Sequence, residues 1–264
     1  MANSILKLEK PPGTRPKGAR DEREAAARVR AMFSRIAPRY DFLNHFLSFT
    51  QDHKWRRQTA RRFSSILRHT GTRVLDLCCG TGDLAFAFDR VRLRSIRDPM
   101  AHRFPIVGGD FAEPMLARAR EKARGRSRAV TFVAADALKL PFPDESFDLV
   151  ASAFGFRNLA NYEQGLREMA RVLKRGGTAG ILEFSMPRRG ALAALYRLYF
   201  RRILPVVGGL ISRTREAYSY LPDSVSNFPS PAEISALLEK SGFTGVRVFS
   251  WNFGSVVLHT ARRG

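Results

Sequence analysis

Two cysteines are all that the 264-residue chain contains, and they are neighbours, Cys78 and Cys79. Adjacent residues of an extended segment point to opposite faces, so this pair makes a poor disulfide. There is no Cys-x-x-Cys, and the five histidines are scattered, so no metal-ligand spacing is present and no metal is expected. The cysteines read as small buried residues in a reducing compartment. Long apolar runs are lacking as well. The first twenty residues, MANSILKLEKPPGTRPKGAR, hold no apolar core of signal-peptide length, and no run approaches a membrane span. The expectation is a soluble, cytoplasmic protein. Acids are the third shortage: 24 Asp+Glu face 45 Lys+Arg, a formal charge of +21. A field of that sign attracts polyanions, nucleic acid or an anionic membrane surface, although a surface that simply uses arginine freely gives the same sum.

What is present can build a sizeable core, since 44% of the residues are hydrophobic. The length suits one generous domain or a domain with an appended subdomain. Residues 1–20 are rich in proline, glycine and basic residues and lack aromatics, which predicts a mobile basic tail. Residues 21–70 read as a helical cap or lid, with Asp21, Glu22 and Glu24 placed early, as a helix N-terminus favours. From 71 to 264 short β runs alternate with helical segments: 73–79, 105–111, 130–136, 147–154 and 178–184, with helices over 113–124 and 162–174 between them. Such alternation predicts an α/β fold with a mostly parallel sheet covered on both faces. Two late β runs, 246–252 and 256–262, are separated by three residues. That gap is too short for a parallel crossover, so the seven-stranded sheet should end in an antiparallel hairpin.

The stretch VLDLCCGTGDLAF, residues 74–86, carries the first functional signal. A strand that delivers its last residues into Gly-x-Gly and then a helix is a nucleotide-cradling turn. Gly80 and Gly82 permit backbone conformations and a close ligand approach that a Cβ would forbid, and the following helix offers unsatisfied N–H groups to negative charge. A dinucleotide and S-adenosylmethionine both suit this device. Asp76 lies within the first strand, Asp110 ends the second, and Asp136 is expected to end the third. Three acids in register fall on the carboxyl edge of a parallel sheet, where such folds bind ligands. A carboxylate at Asp110 can hold two ribose hydroxyls, and one at Asp136 can accept from an adenine amino group.

At this point the residues carry a resemblance. VLDLCCGTGD, GGDFAEPML, AADALKLPFPDESFDLV and RVLKRGGTAGILEFS are similar to the successive motifs of class I S-adenosylmethionine-dependent methyltransferases, over roughly residues 70–185. PRYDFLNHFLSFTQDHKWRR, AFGFRNLANYEQGLREMARVLKRGG, ILEFSMP and REAYSYLPDSVSNFPSPAEI resemble the ubiquinone/menaquinone biosynthesis C-methyltransferases (UbiE/MenG family), from about Met32 to the C-terminus. The resemblance implies a Rossmann-like methyltransferase domain with a helical N-terminal segment and a substrate-side insertion at about 187–230. It implies S-adenosyl-L-methionine as cofactor, contacted at Thr81 in the glycine turn, Asp110, Asp136, Ala137 and Ser152. Members often carry Asn-Ala where this chain has Asp136-Ala137. The connection over residues 89–104 is longer and more basic than usual.

The implied reaction moves the sulfonium methyl to a ring carbon of a prenylated hydroquinone, demethylmenaquinol or a ubiquinone precursor. Ionising a ring hydroxyl raises the nucleophilicity of the adjacent carbon, so the site needs groups that favour the oxyanion. The resemblance points to Arg157, Asn158 and Tyr40. Arginine is a poor base, so Arg157 is read as an electrostatic stabiliser, with a water or Asp148 on the proton path. The bland alternative is an ion pair between Arg157 and an acid such as Asp41. Three rival functions stand beside this one. A nucleic-acid methyltransferase would use the charge, but no Asn-Pro-Pro-Tyr-like motif and no free catalytic thiol is present. A dehydrogenase should carry its ribose acid about twenty residues after the turn, and Asp110 comes later. A non-enzymatic cofactor-binding protein is left open by motifs alone. The favoured partners are the quinol and an anionic membrane surface, with no nucleic acid, and the resemblance admits a homodimer or other quinone-biosynthesis enzymes. Residues 187–215 hold seven arginines and no acid. Leu192, Leu195, Tyr196, Tyr199 and Ile203 form a helical stripe there, the composition of an interfacial helix, which predicts peripheral association with the inner face of the membrane.

Overall fold

The computed structural model describes residues 13–48, 50–95, 105–125, 129–186 and 215–264, with the side chains of 43, 45–47, 95, 215–219 and 221 left aside. Seven strands form one sheet: β1 (Val74–Leu77), β2 (Ile106–Asp110), β3 (Val130–Ala134), β4 (Phe147–Ala153), β5 (Leu173–Phe184), β6 (Phe243–Trp251) and β7 (Val256–Arg263). Their order is β3-β2-β1-β4-β5-β7-β6. The first five are parallel, in registers such as Val74↔Ile106 and Val74↔Leu149. β7 runs antiparallel to both β5 and β6. The expected terminal hairpin is therefore present, and it forms one edge of the sheet.

Side-chain alternation divides the core into two layers. Leu75, Leu77, Val150 and Ile181 face α7 (Tyr162–Val172) and α9 (Pro231–Lys240), where Leu166, Met169, Ile234 and Leu238 are fully buried. Val74, Ile106, Leu149 and Ala151 face the other way, onto Leu67 of α4 (Ser64–Leu67), Leu84 and Phe88 of α5 (Asp83–Ser95), and Phe63. β1 is buried along its whole length, as a central parallel strand must be. Helix starts carry their own signals. Asn161 caps α7 by accepting from the Gln164 N–H, and Ser230 and Glu233 make a reciprocal capping box on α9. Helices α6 (Glu113–Arg124) and α8 (Arg215–Asn227) complete the described set along the chain.

The expected N-terminal helical stretch is present in separate pieces, and two strand boundaries change. The N-terminal helical stretch is not continuous: α1 (Glu22–Ile36) gives way to a single 3₁₀ turn at Pro38, then α2 (Tyr40–Leu47) and α3 (Gln51–Arg62). Proline cannot donate the helical hydrogen bond and clashes with the preceding turn, so the chain breaks there. The third strand stops at Ala134, two residues before Asp136. β5 begins directly after α7 rather than at 178, with Lys174–Gly177 taken up in a shift of register against β4. Residues 1–12 of the supposed tail lie outside the described residues, but the next ones are anchored. The Thr14 N–H donates to the Leu159 carbonyl at 2.7 Å, Arg15 donates to the Ala160 carbonyl at 2.9 Å, and Thr14 is buried. Residues 96–104 of the basic connection and 187–214 of the insertion lie outside the described residues. Among the described residues, no helix is long and apolar enough to cross a membrane.

Candidate active site

A cleft opens at the carboxyl ends of the parallel strands. It lies where the strand order reverses between β1 and β4, the switch point at which sheets of this kind bind ligands. One wall comes from the ends of β1, β2 and β3, namely Cys78, Gly80, Asp110, Phe111 and Ala135–Leu138. The opposite wall is the turn after β4, with Phe154, Gly155 and Asn158–Ala160, and the roof is Ala26 and Phe33 of α1 with Tyr40 of α2.

The first wall is held by main-chain groups. Asp110, buried, accepts from the Gly80 N–H through Oδ2 at 2.9 Å and from the Ala112 N–H through Oδ1 at 2.9 Å. Burial pushes its carboxyl up from the ordinary range, and these backbone N–H groups pull it back. Each carboxylate oxygen keeps a lone pair beyond the one the backbone takes, which is what a pair of ribose hydroxyls requires. Asp76, beneath the turn, accepts from the Ala85 N–H at 2.9 Å and fixes the start of α5. Its burial raises its pKa to about 8. Gly80 and Gly82 both have left-handed backbones, φ +54° and +86°. A Cβ on Gly82 would come within 2.7 Å of the Phe132 ring, so close packing as well as dihedral angle requires glycine there. Asp136 sits past the end of β3, exposed, and its Oδ1 accepts from the Leu138 N–H at 2.9 Å. The Cys78 thiol lines the cleft, and burial drives its pKa well up, so it stays protonated and offers no nucleophile.

The second wall is held by side chains. Glu183, buried near the end of β5, accepts from the Arg157 backbone N–H at 3.0 Å and from its Nη1 at 3.0 Å. Burial pushes the Glu183 carboxyl up, against the pull of the guanidinium. Arg157 Nη1 also donates to the Phe154 carbonyl, and its guanidinium lies 5.6 Å from the centre of the Phe184 ring. Phe154 takes a left-handed backbone, φ +61°, which costs a bulky residue strain and is held by these bonds. Tyr40 roofs the cleft with its ring against Gly80. Burial raises the Tyr40 pKa, while the Arg56 and Arg157 cations and a hydrogen bond with Asn44 oppose the rise.

Of the residues singled out in the sequence, the cleft brings together Tyr40, Gly80, Asp110, Asp136, Ala137 and Asn158. Thr81, Gly82, Ser152 and Arg157 stand behind its walls. The Thr81 hydroxyl is occupied by Asp41 at 2.5 Å and by the Lys122 ammonium at 2.9 Å. Ser152 is buried on β4, with no hydrogen-bond partner for its Oγ among the described residues. The acid paired with Arg157 is Glu183; Asp41 binds Lys122 instead. Asp148 is not near this machinery. It lies at the amino end of β4, roughly 16 Å of strand away from the turn, and is tied to the Arg73 N–H and to Lys174 at 2.8 Å each. Sequence reasoning passed over Glu183, though an acid inside the apolar run TAGILEF was a readable sign of a buried pair. It also passed over Thr14, Phe33 and Tyr220, which no local pattern connects to the cleft.

The model of the ubiE/COQ5 methyltransferase family matches residues 20–263. The chain is 49% identical over 232 residues to the demethylmenaquinone methyltransferase of Thermus thermophilus, covering 88% of this chain and 100% of that protein. It is 46% identical over 243 residues to the ubiquinone/menaquinone biosynthesis C-methyltransferase UbiE of Geobacter sulfurreducens, covering 91% and 90%. Among solved structures, a SAM-dependent methyltransferase from Aquifex aeolicus superposes with a TM-score of 0.54 at 19% identity, over 78% of this chain and 88% of that one. That likeness speaks to the fold, and it is the Rossmann-like methyltransferase fold.

Proposed function

The chain belongs to the ubiE/COQ5 methyltransferase family, and from that premise we propose that it methylates a ring carbon of a prenylated hydroquinone of the demethylmenaquinol type, using S-adenosyl-L-methionine. The observation that carries the reading is Asp110, a buried carboxylate aimed into the switch-point cleft with its orientation set by two backbone N–H groups. Asp110, Gly80, Asp136 and Ala137 would hold the cofactor, whose nucleoside suits a wall of Phe111, Met115 and Leu138. When bound, it supplies an activated methyl on a positively charged sulfur. The protein's own work is alignment and stabilisation of ring oxygen charge. Tyr40 and Asn158 are the polar side chains that face the ring. Arg157 serves them from behind, by fixing the Phe154 carbonyl and the turn that carries Asn158. Thr81 and Ser152 belong to the scaffold of the cofactor wall.

The same reading includes docking on an anionic membrane surface, where a prenylated quinol resides. The basic stripe assigned to this contact, residues 187–215, falls almost entirely outside the described residues. Support comes from the outer face of α3, where Lys54, Arg57 and Arg61 are exposed and have no acidic partner among the described residues. Phe253, 83% exposed on the β6–β7 turn, adds an apolar tip. Sedimentation with phosphatidylglycerol vesicles should exceed that with neutral vesicles and fade with salt; equal pelleting with both removes the docking claim. The catalytic reading is tested with Asp110→Ala. Calorimetric affinity for S-adenosylmethionine should fall by roughly 100-fold, about 3 kcal/mol for two lost charge-assisted bonds, with the circular dichroism spectrum retained. Wild-type protein should methylate short-chain demethylmenaquinol. Near-normal binding by the variant, or no turnover by the wild type, overturns the assignment.

A further inference from the structure

The motif YSYLPDS and the segment around Thr14 have no part in the reaction as described so far, yet both end at the same atom. Tyr220, in α8, donates its hydroxyl proton to Asn158 Oδ1 at 3.0 Å. Its hydroxyl oxygen lies 3.0 Å from Thr14 Oγ1. A phenol has one proton to give. With that proton on Asn158, the hydrogen between the two hydroxyls belongs to Thr14. The chain of bonds therefore has a direction: Thr14 to Tyr220 to Asn158.

On its other side, Asn158 Nδ2 faces the Phe154 carbonyl at 3.5 Å. That carbonyl only accepts, and it already receives Arg157 Nη1. Turning the amide over would set Oδ1 against the Phe154 oxygen, two acceptors face to face. The Phe154 carbonyl therefore sets the orientation, NH₂ toward Phe154 and oxygen toward Tyr220, and the Tyr220 hydroxyl, which can donate or accept, is left donating to Oδ1; Asn158 and Phe154 both line the cleft. We propose that Tyr220 and Thr14 are positioning residues that lock the Asn158 amide, so that Asn158 meets the substrate oxygen as a hydrogen-bond donor. The inference rests on the reading of Asn158 as a ring-facing group. It adds which end of the amide does the work, and why residues at positions 14 and 220 belong to the site. A donor at this place favours the ionised ring hydroxyl, whereas a freely turning amide would present its oxygen part of the time and repel the same charge.

Tyr220→Phe removes one oxygen and leaves the ring in its buried seat. Its kcat for demethylmenaquinol should drop about tenfold, while S-adenosylmethionine affinity stays within twofold of wild type. Thr14→Val should lose about threefold. Tyr220→Phe added to Asn158→Ala should cost nothing more, because the amide it orients is gone. Wild-type turnover in Tyr220→Phe, or losses that multiply in the double variant, overturn the proposal. Side-chain amide NMR of Asn158 separates this inference from the reading beneath it: the Nδ2 resonances should shift and broaden in Tyr220→Phe. Unchanged resonances refute the lock even if methylation proceeds, and a wild type that methylates no quinol refutes the function without touching the lock.

Discussion

The two walls of the cleft are built by different means. Asp110 and Asp136 take their orientation from backbone N–H groups, most of them within two residues of the acid in sequence. Arg157 and Asn158 take theirs from Glu183, Tyr220 and Thr14, up to 144 positions away when the bonds are followed from Asn158 to Thr14. A wall set by its own backbone tolerates changes elsewhere and is as rigid as the sheet that carries it. A wall set by long-range side-chain bonds depends on each partner, and removing one leaves a buried group without its complement. The cofactor side should therefore be robust and the ring side sensitive, which is the division of labour expected of a site that must grip one constant ligand and orient a second.

That comparison can be broken in three places. The largest effect should come from Glu183→Ala, which strands the Arg157 cation in the interior. Loss of one partner of a buried pair costs about 3–5 kcal/mol, read as a lower urea midpoint. In protein that still folds, turnover should suffer far more than cofactor affinity; if the two fall together, the walls are not independent. Asp76→Asn probes the backbone-held side through pH. The folded-state pKa of Asp76, about 8, lies above the unfolded value near 3.9. The folded state therefore holds a proton that the unfolded state has released across that interval. Its stabilising contribution is fully present below about pH 4 and is lost as pH rises to about 8, at roughly 1.4 kcal/mol per pH unit. The asparagine variant, which keeps an acceptor for the Ala85 N–H, should lose less stability than wild type between pH 5 and 8 in urea titrations. Parallel curves would refute the buried, protonated assignment. The smallest effect belongs to Arg157→Lys, which keeps the charge on Glu183 but loses the fork that also reaches Phe154. Methyl transfer should fall about tenfold, roughly 1.4 kcal/mol, with calorimetric S-adenosylmethionine binding spared; unchanged turnover would show that the Phe154 bond is dispensable.

The same division explains what could be read from the sequence. Strand–glycine–helix grammar places β1, the turn and Asp110 correctly, because the signals for a strand end and a glycine turn act within a few residues. The three-residue gap before Val256 required the antiparallel hairpin for the same local reason. Asp136 lies two residues beyond the third strand instead of ending it, since nothing in VTFVAAD marks where pairing with β2 stops. The expectation of Asp148 on the proton path fails for a geometric reason, since it is tied to Arg73 and Lys174 at the amino end of β4. The length of that strand separates it from the turn that carries Arg157.

From the chain alone came the parallel α/β order, the nucleotide-cradling turn, its acids and the family resemblance, all properties of short windows whose periodicity and dihedral demands act within a few residues. Only the tertiary structure decided that Glu183 and not Asp41 faces Arg157, that Thr81 spends its hydroxyl on Asp41 and Lys122, and that Thr14 and Tyr220 meet at Asn158. These partners are chosen by where the packed sheet and its flanking helices bring distant side chains within hydrogen-bond reach, and no local pattern encodes that distance.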